Sequence, residues 1–148
     1  MDNELKVLIF TIDDEYFATD IMEVERIIGY EPTTKLPDSP EFIEGVIKNS
    51  DNILPVMNLA KRFKLNSIKN TKDAKIVVAK EEKGKIGIVV DAVSEVKNIK
   101  ESDVESAPEV VSGISKRYIR GLIKLEDKIV IFLNLVSILT EEEKEKLL

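Results

Sequence analysis

The sequence predicts an all-β chain, mainly strand with short helices, folded as two pseudo-symmetric five-stranded barrels packed on one another. Three observations predict it. A 22-residue segment recurs once along the chain. Short apolar runs are separated by charged turns at strand-like spacing. Prolines cluster where neither a helix nor a central strand can pass.

The repeat comes first. "FIEGVIKNSDNILPVMNLAKRF", residues 42–63, returns as "YIRGLIKLEDKIVIFLNLVSIL", residues 118–139, a shift of 76. Ile43, Gly45, Ile47, Lys48, Asp51, Ile53, Asn58 and Leu59 recur identically, 8 of 22 positions. Chance would supply about one or two on ordinary residue frequencies. Each half reads strand, strand, turn, strand, loop, strand, strand, helix. Five short antiparallel strands leave bare edges unless they close on themselves, so closure into small barrels is expected. The first barrel is expected over about 5–66, the second over about 74–139, and a last helix over 140–148.

The elements follow in order. In "KVLIFTIDDEYFATDI" both phases of the alternation are largely apolar, so the first strand should be buried on both faces. Asp13-Asp14-Glu15 reads as a polar turn into a second strand from Tyr16 to Thr19. Asp20 and Glu23 have capping-box spacing around one helical turn. Val24, Arg26 and Ile28 alternate as a third strand. "YEPTTKLPDSPEF" holds Pro32, Pro37 and Pro40 and reads as an extended loop. Phe42–Lys48 and Ile53–Met57 are strands about a polar turn, and Asn58 can cap a short helix to Phe63. "NSIKNTKD" reads as a linker. "AKIVVAKEEKGKIGIVVDAV" repeats the opening hairpin with its bend at Lys83-Gly84. "NIKESDVESAPEVVSGISKR" reads as a second long loop. After the second copy, Thr140 and Glu143 form a capping box, and three acids crowd the first turn of the last helix.

Composition narrows the function. The chain has 148 residues, 43% hydrophobic and 34% charged, with no cysteine and no histidine. Disulfides, thiolate nucleophiles, imidazole bases and nearly every zinc or haem site are thereby excluded. The opening "MDNELK" lacks the basic and apolar regions of a signal peptide. The longest near-apolar run, Ile129 to Leu139, is too short to span a bilayer, so no membrane insertion and a cytoplasmic setting are expected. Net charge is −6, with lysines scattered among carboxylates. That disfavours a phosphate backbone as ligand.

No cofactor is expected. The paired acids Asp13/Asp14 and Glu81/Glu82 fall in turns, where solvation leaves little reason for the pKa shift that acid–base catalysis needs. No Gly-rich loop precedes a helix, and "DDEYFATD" lacks the ligand spacing and glycine of a calcium loop. The 5% of aromatic residues fall at strand positions, as core residues do. What remains is a binding module, with a groove between the two barrels suited to an apolar, helical partner.

The same stretches carry a resemblance. "FIEGVIKNSDNILPVMNLAKRF" resembles the segment of CheW-type proteins in which Gly45, Val46, Pro55, Asn58, Leu59 and Phe63 take the pattern's positions. "FTIDDEYFATDIMEVERIIGY", "LPDSPEFIEG", "IGIVVDAVSEV" and "YIRGLIKLEDKIVIFLNLVSIL" are similar to the family's other segments, and together they cover residues 5 to 140. The resemblance implies two SH3-like barrels, no enzyme activity, and a free-standing chemotaxis adaptor. It implies two partners, the regulatory domain of the histidine kinase CheA and the cytoplasmic tips of chemoreceptors.

Carried over residue by residue, the receptor-facing groove would include Val24, Gly45, Gly87 and Val93. Val24 reads equally as barrel core, and both glycines read equally as strand positions that admit close backbone approach. Kinase contact would come from the Phe42-to-Pro55 hairpin, through Phe42, Ile47, Lys48, Ser50 and Asp51. At the turn the chain departs from the family's usual Asn-Leu-Arg-Gly, with Lys48-Asn49-Ser50-Asp51 in its place. Arg26 stands where the family often has an acid. Two other classes remain: a nucleic-acid-binding small-barrel protein, and an enzyme framed around an acid pair whose pKa is raised in a cleft.

Overall fold

The computed structural model describes residues 3–65, 72–108 and 117–147. β1 (Glu4–Ile12) and β2 (Glu15–Asp20) form the opening hairpin. Its turn is tighter than expected, because Asp13 and Asp14 alone make it, at φ 52° and 62°. Aspartate tolerates this left-handed region, and two such residues supply the twist of a two-residue hairpin. Asp91 Oδ2 accepts from the Asp13 N–H at 2.7 Å and holds the turn. The 3-10 turn Ile21–Glu23 follows, with the Asp20 carboxylate accepting from Met22 N–H at 2.9 Å. Glu23 does not reach back to Asp20 as the expected box requires. It accepts instead from Thr19 Oγ1 at 3.0 Å and from Leu135 N–H at 3.1 Å.

β3 (Val24–Gly29), β4 (Ile43–Asn49) and β5 (Asn52–Asn58) come next. Helix α1 (Leu59–Phe63) starts as expected at Asn58, whose side chain accepts from Lys61 N–H at 3.1 Å. It ends at Lys64, which is left-handed with φ 60°. Then come β6 (Lys75–Glu81), β7 (Gly84–Val90) and β8 (Ala92–Lys100). The expected second loop is more ordered than its composition suggests. Residues 98–100 finish β8, Glu101–Asp103 turn, and Val104–Glu105 form the short β9. The loop's remainder at 109–116, and 66–71 of the expected linker, lie outside the described residues. β10 (Ile119–Leu125), β11 (Lys128–Leu133) and α2 (Glu141–Leu147) complete the order. The Thr140–Glu143 box is made reciprocally, at 2.8 and 3.0 Å. Among the described residues no helix is long and apolar enough to cross a membrane.

The strands form two sheets of matching plan. One runs β8-β1-β2-β11-β10-β9, the other β3-β6-β7-β5-β4. The sheets do not follow the halves of the chain as the 5–66 and 74–139 division expects. Residues 24–90 supply the second sheet, while 4–20 and 92–133 share the first. The opening hairpins have changed places. The 3-10 turn at Ile21–Glu23 carries the chain out of the first sheet, and Asp91 carries it back. The exchanged hairpins join by parallel pairing, β2 with β11 and β5 with β7. A repeat shows which segments are alike; which segments pair is set by where the short crossings lead.

Each sheet is rolled. β8 and β9 are opposite edges of the six-stranded sheet, yet four Cα steps join them, a reach of at most about 14 Å. Laid flat, those edges would stand about 24 Å apart. In the second sheet the loop between β3 and β4 returns along the free edge of β4. Thr34 and Val46 exchange two backbone hydrogen bonds of 2.9 Å there. Gly45 and Gly121, equivalent in the repeat, let these returning segments in. A Cβ on Gly45 would lie 2.2 Å from Thr34 O, and one on Gly121 2.5 Å from Glu105 O.

Three cores result. Val7, Ile9, Ala18, Ile99, Ile123, Val130 and Phe132 fill the first sheet. Ile47, Leu54, Val56, Ile76, Val78 and Val89 fill the second. The third lies between the sheets, with Leu8, Phe10, Ile12, Met57, Val77 and Ile88 among its members. β1 thus buries both faces, as its double alternation predicts. The rings of Phe10, Phe17, Phe63 and Tyr118 follow one another at 6.0, 5.9 and 5.1 Å, so these aromatic residues serve packing.

Candidate functional site

The β4–β5 hairpin stands at the edge of the second sheet, and its alternation sorts the candidate contacts. Ile47, Leu54 and Val56 point into the inner core. Ile47 is 5% exposed, so it supports the hairpin from within and does not present itself to a partner. The opposite phase faces outward, with Val46 paired to Pro55 and Lys48 to Ile53. Asn49 and Asn52 close the ladder, leaving Ser50 and Asp51 as the turn. Ser50 takes φ 57°, and Glu126 takes φ 55° at the equivalent place in the second copy. Lys48, Ser50 and Asp51 are exposed. Phe42 is half-buried, with the Arg62 guanidinium 4.3 Å from its ring centroid.

Sequence reasoning passed over the residue that dominates this face. Ile53 is 73% exposed, and its repeat equivalent Ile129 is 60% exposed. Each stands across from a lysine, Lys48 and Lys124 respectively. The signal was an isoleucine kept identical in both copies, outside the phase that fills the barrels. The turn has a second unforeseen partner. Arg26, on β3, donates from Nη2 to Asn49 Oδ1. The rolled sheet brings its far edge round to the hairpin, so a guanidinium serves this turn although residue 50 is serine.

The four groove candidates separate into two pairs. Val24 opens β3 opposite Ala79, and Val93 lies opposite Phe10. Both are half-buried against the core between the sheets. Gly45 and Gly87 flank Val56 in one cross-strand row, two strands apart. A Cβ on Gly87 would meet Ile76 Cγ2 at 2.8 Å and Leu54 Cδ2 at 3.2 Å, both in the inner core. Gly45 sits at a register shift beneath Thr34. Close approach accounts for both glycines, and both valines pack against the core between the sheets.

Charge offers little to chemistry. Among the described residues no group of three acids could hold a metal ion. Burial pushes the Glu23 carboxyl up, against the hydroxyl of Thr19 and the N–H of Leu135, which pull it down. Its contacts tie the crossing turn to Leu135 and are structural. Glu25 is held low by Lys85, 2.7 Å away on the surface.

Comparison with known proteins agrees with this geometry. The family model "CheW-like domain" matches residues 6–143. The chain belongs to the CheW-like family. The Thermotoga maritima chemotaxis protein CheW is 32% identical over 141 residues, covering 93% of this chain and 89% of that one. The Helicobacter pylori chemotaxis protein CheW is 30% identical over 146 residues, covering 95% and 86%. The crystal structure of the scaffolding protein TtCheW from Thermoanaerobacter tengcongensis superposes with a TM-score of 0.83 at 34% identity. It covers 90% of this chain and 86% of that one. This CheW-like chain is thus a scaffold of the chemotaxis class and not an enzyme.

Proposed function

We propose that this CheW-like chain works in the cytoplasm as an adaptor, coupling chemoreceptor tips to the regulatory domain of the histidine kinase CheA. One observation carries the reading. Ile53 is one of six large apolar side chains exposed among the described residues, and at 73% exposure it stands beside Lys48 next to the turn of the β4–β5 hairpin. An exposed apolar anchor that shares a groove with Val46, Pro55 and Leu147 suits a protein partner that closes over it. The kinase contact falls on Phe42, Lys48, Ser50, Asp51 and Ile53, with Ile47 supporting them from inside. The receptor contact falls on the half-buried valines Val24 and Val93, with Gly45 and Gly87 admitting the close approach of their own neighbours.

The test is co-sedimentation of the purified chain with receptor-tip assemblies and CheA from its own organism. Pelleting of all three together is the expected result. A chain left in the supernatant with both partners present would overturn the reading.

A further inference from the structure

α2 issues from the first sheet but is fastened to the second. Arg62, on α1, donates to both Glu143 oxygens at 3.0 and 3.2 Å and to the Ile138 carbonyl at 3.0 Å. Lys144 reaches Glu81, at the end of β6, at 3.1 Å. Lys83, in the β6–β7 turn, lies 3.3 Å from Glu141 and 3.7 Å from Glu145. These links bring the helix end, Lys146 and Leu147, to the hairpin. There the two residues wall a groove of about 550 Å³, whose other wall includes Val46, Ile53 and Pro55.

The groove differs from the rest of the surface. The chain carries 28 acids against 22 bases. Yet among the described residues the groove's lining contains two lysines, Lys85 and Lys146, and no carboxylate. Their partners, Glu25 and Glu142, stand outside that lining at 2.7 and 3.2 Å. Exposed surface pairs of this kind are weak, so an incoming carboxylate can replace either partner at little cost. Apolar walls with lysines at the rim fit an apolar segment flanked by acids.

We propose that the end of α2 is part of the kinase-docking surface, and that its occupant is an apolar segment of the kinase regulatory domain flanked by carboxylates. The inference rests on the hairpin reading above and adds to it a wall supplied by a helix that issues from the other sheet. Lys146 sets charge specificity there, and Leu147 extends the apolar floor beneath Ile53.

The experiment titrates the full chain with the purified regulatory domain of CheA from the same organism, following binding by calorimetry at low and high salt. Ile53→Asp tests the hairpin, and Lys146→Glu and Leu147→Asp test α2. Glu142→Gln, which releases Lys146, is the opposite-sign control. Lys146→Glu is expected to weaken binding up to about fivefold at low salt and less at high salt. Glu142→Gln should bind as tightly as the parent or tighter. Lys146 is 73% exposed, so Lys146→Glu leaves the fold intact and decides the matter even if Leu147→Asp does not fold. If Ile53→Asp loses binding while Lys146→Glu and Glu142→Gln match the parent, the role of α2 is overturned and the hairpin reading stands. If Ile53→Asp also matches the parent, or the parent does not bind, the hairpin reading falls and takes the inference with it.

Discussion

Gly45 gives the carbonyl of Thr34 the space that any side chain would occupy: a Cβ there would lie 2.2 Å from that oxygen, and φ is 147°. Close contact and backbone geometry both demand glycine. Gly45→Ala should therefore destabilise the fold by about 2–4 kcal/mol, combining overpacking with strain. Gly121→Ala, 2.5 Å from Glu105 O but without the positive φ, should cost less, about 1–3 kcal/mol. Gly29→Ala meets nothing within 4 Å and should stay within about 0.5 kcal/mol of the parent. Thermal melts of the three variants give the order, and equal melting of Gly45→Ala and Gly29→Ala would refute the account of rolling.

Much of this architecture could be read from the residues, and the exceptions have physical causes. The repeat located both copies of the β4–β5 hairpin, and Asn58 and Thr140 cap their helices as their types require. The exchange of opening hairpins was hidden because self-similarity carries no information about pairing. β9 has two residues and hence no period to detect. Ile47 and Ile53 were indistinguishable by alternation, since Val46-Ile47 and Ile53-Leu54 are apolar in both phases. Burial decides which of them meets a partner, and burial depends on the direction in which the sheet rolls. The grouping of Gly45 and Gly87 with Val24 and Val93 was carried by resemblance, and close packing is a second reason for both glycines.

Lys144 and Glu81 meet at 3.1 Å with side chains 10% and 11% exposed. Burial alone would lower the lysine and raise the glutamate. At Glu81 the Lys83 N–H and then Lys144 outweigh it, and at Lys144 the carboxylates of Glu81 and Glu141 do, so Lys144 titrates above its ordinary value and Glu81 below. A depressed carboxylate adds stability above its unfolded pKa, and that stability is lost as pH falls through the folded value. A raised lysine adds stability below its unfolded pKa, which disappears as pH rises through the folded value. Between those limits Lys144→Met should cost about 1–3 kcal/mol, because Glu81 keeps the Lys83 N–H but loses its charge partner. The double variant Glu81→Leu/Lys144→Met should regain most of it. Urea melts at pH 7 and pH 3 check both points; a Lys144→Met deficit that persists unchanged at pH 3 would count against the pair.

Glu23 presents the opposite sign. Burial holds its carboxyl above the ordinary range, so its protonated form is favoured by folding. The benefit is present below the unfolded pKa and is lost as pH rises through the folded one, leaving a cost at neutral pH. Both of its contacts, from Thr19 and from Leu135, reach a single oxygen, Oε2. A glutamine oxygen can accept both without a buried charge. Glu23→Gln should raise stability at pH 7 by up to about 1 kcal/mol, with the gain shrinking toward pH 4. Glu23→Ala orphans the Leu135 N–H and should cost about 1–3 kcal/mol at either pH. Chemical denaturation across that range separates the two, and a glutamine variant weaker than the parent at neutral pH would show that the charge itself is used.

Arg26 bonds to Asn49 beside a turn that has serine where CheW-type patterns carry arginine. The pattern's arginine at 50 is absent, and one arginine reaches over from β3 to the turn instead. Changing either position alone should fail. Ser50→Arg brings a second guanidinium to the turn that Arg26 already serves, adding repulsion, while the backbone at φ 57° takes arginine as it takes serine. Arg26→Glu alone removes the bond to Asn49 and sets an acid near Asp51. Together the two changes place an acid at 26 against an arginine at 50, an attractive pair, so the double variant should exceed the sum of the singles by at least about 0.5 kcal/mol, in stability and in binding to the kinase regulatory domain. A double-mutant cycle measured by melting and by calorimetry tests this. Additive behaviour in both would mean that Arg26 and position 50 act independently, and that the departure from the family pattern at this turn is two unrelated substitutions.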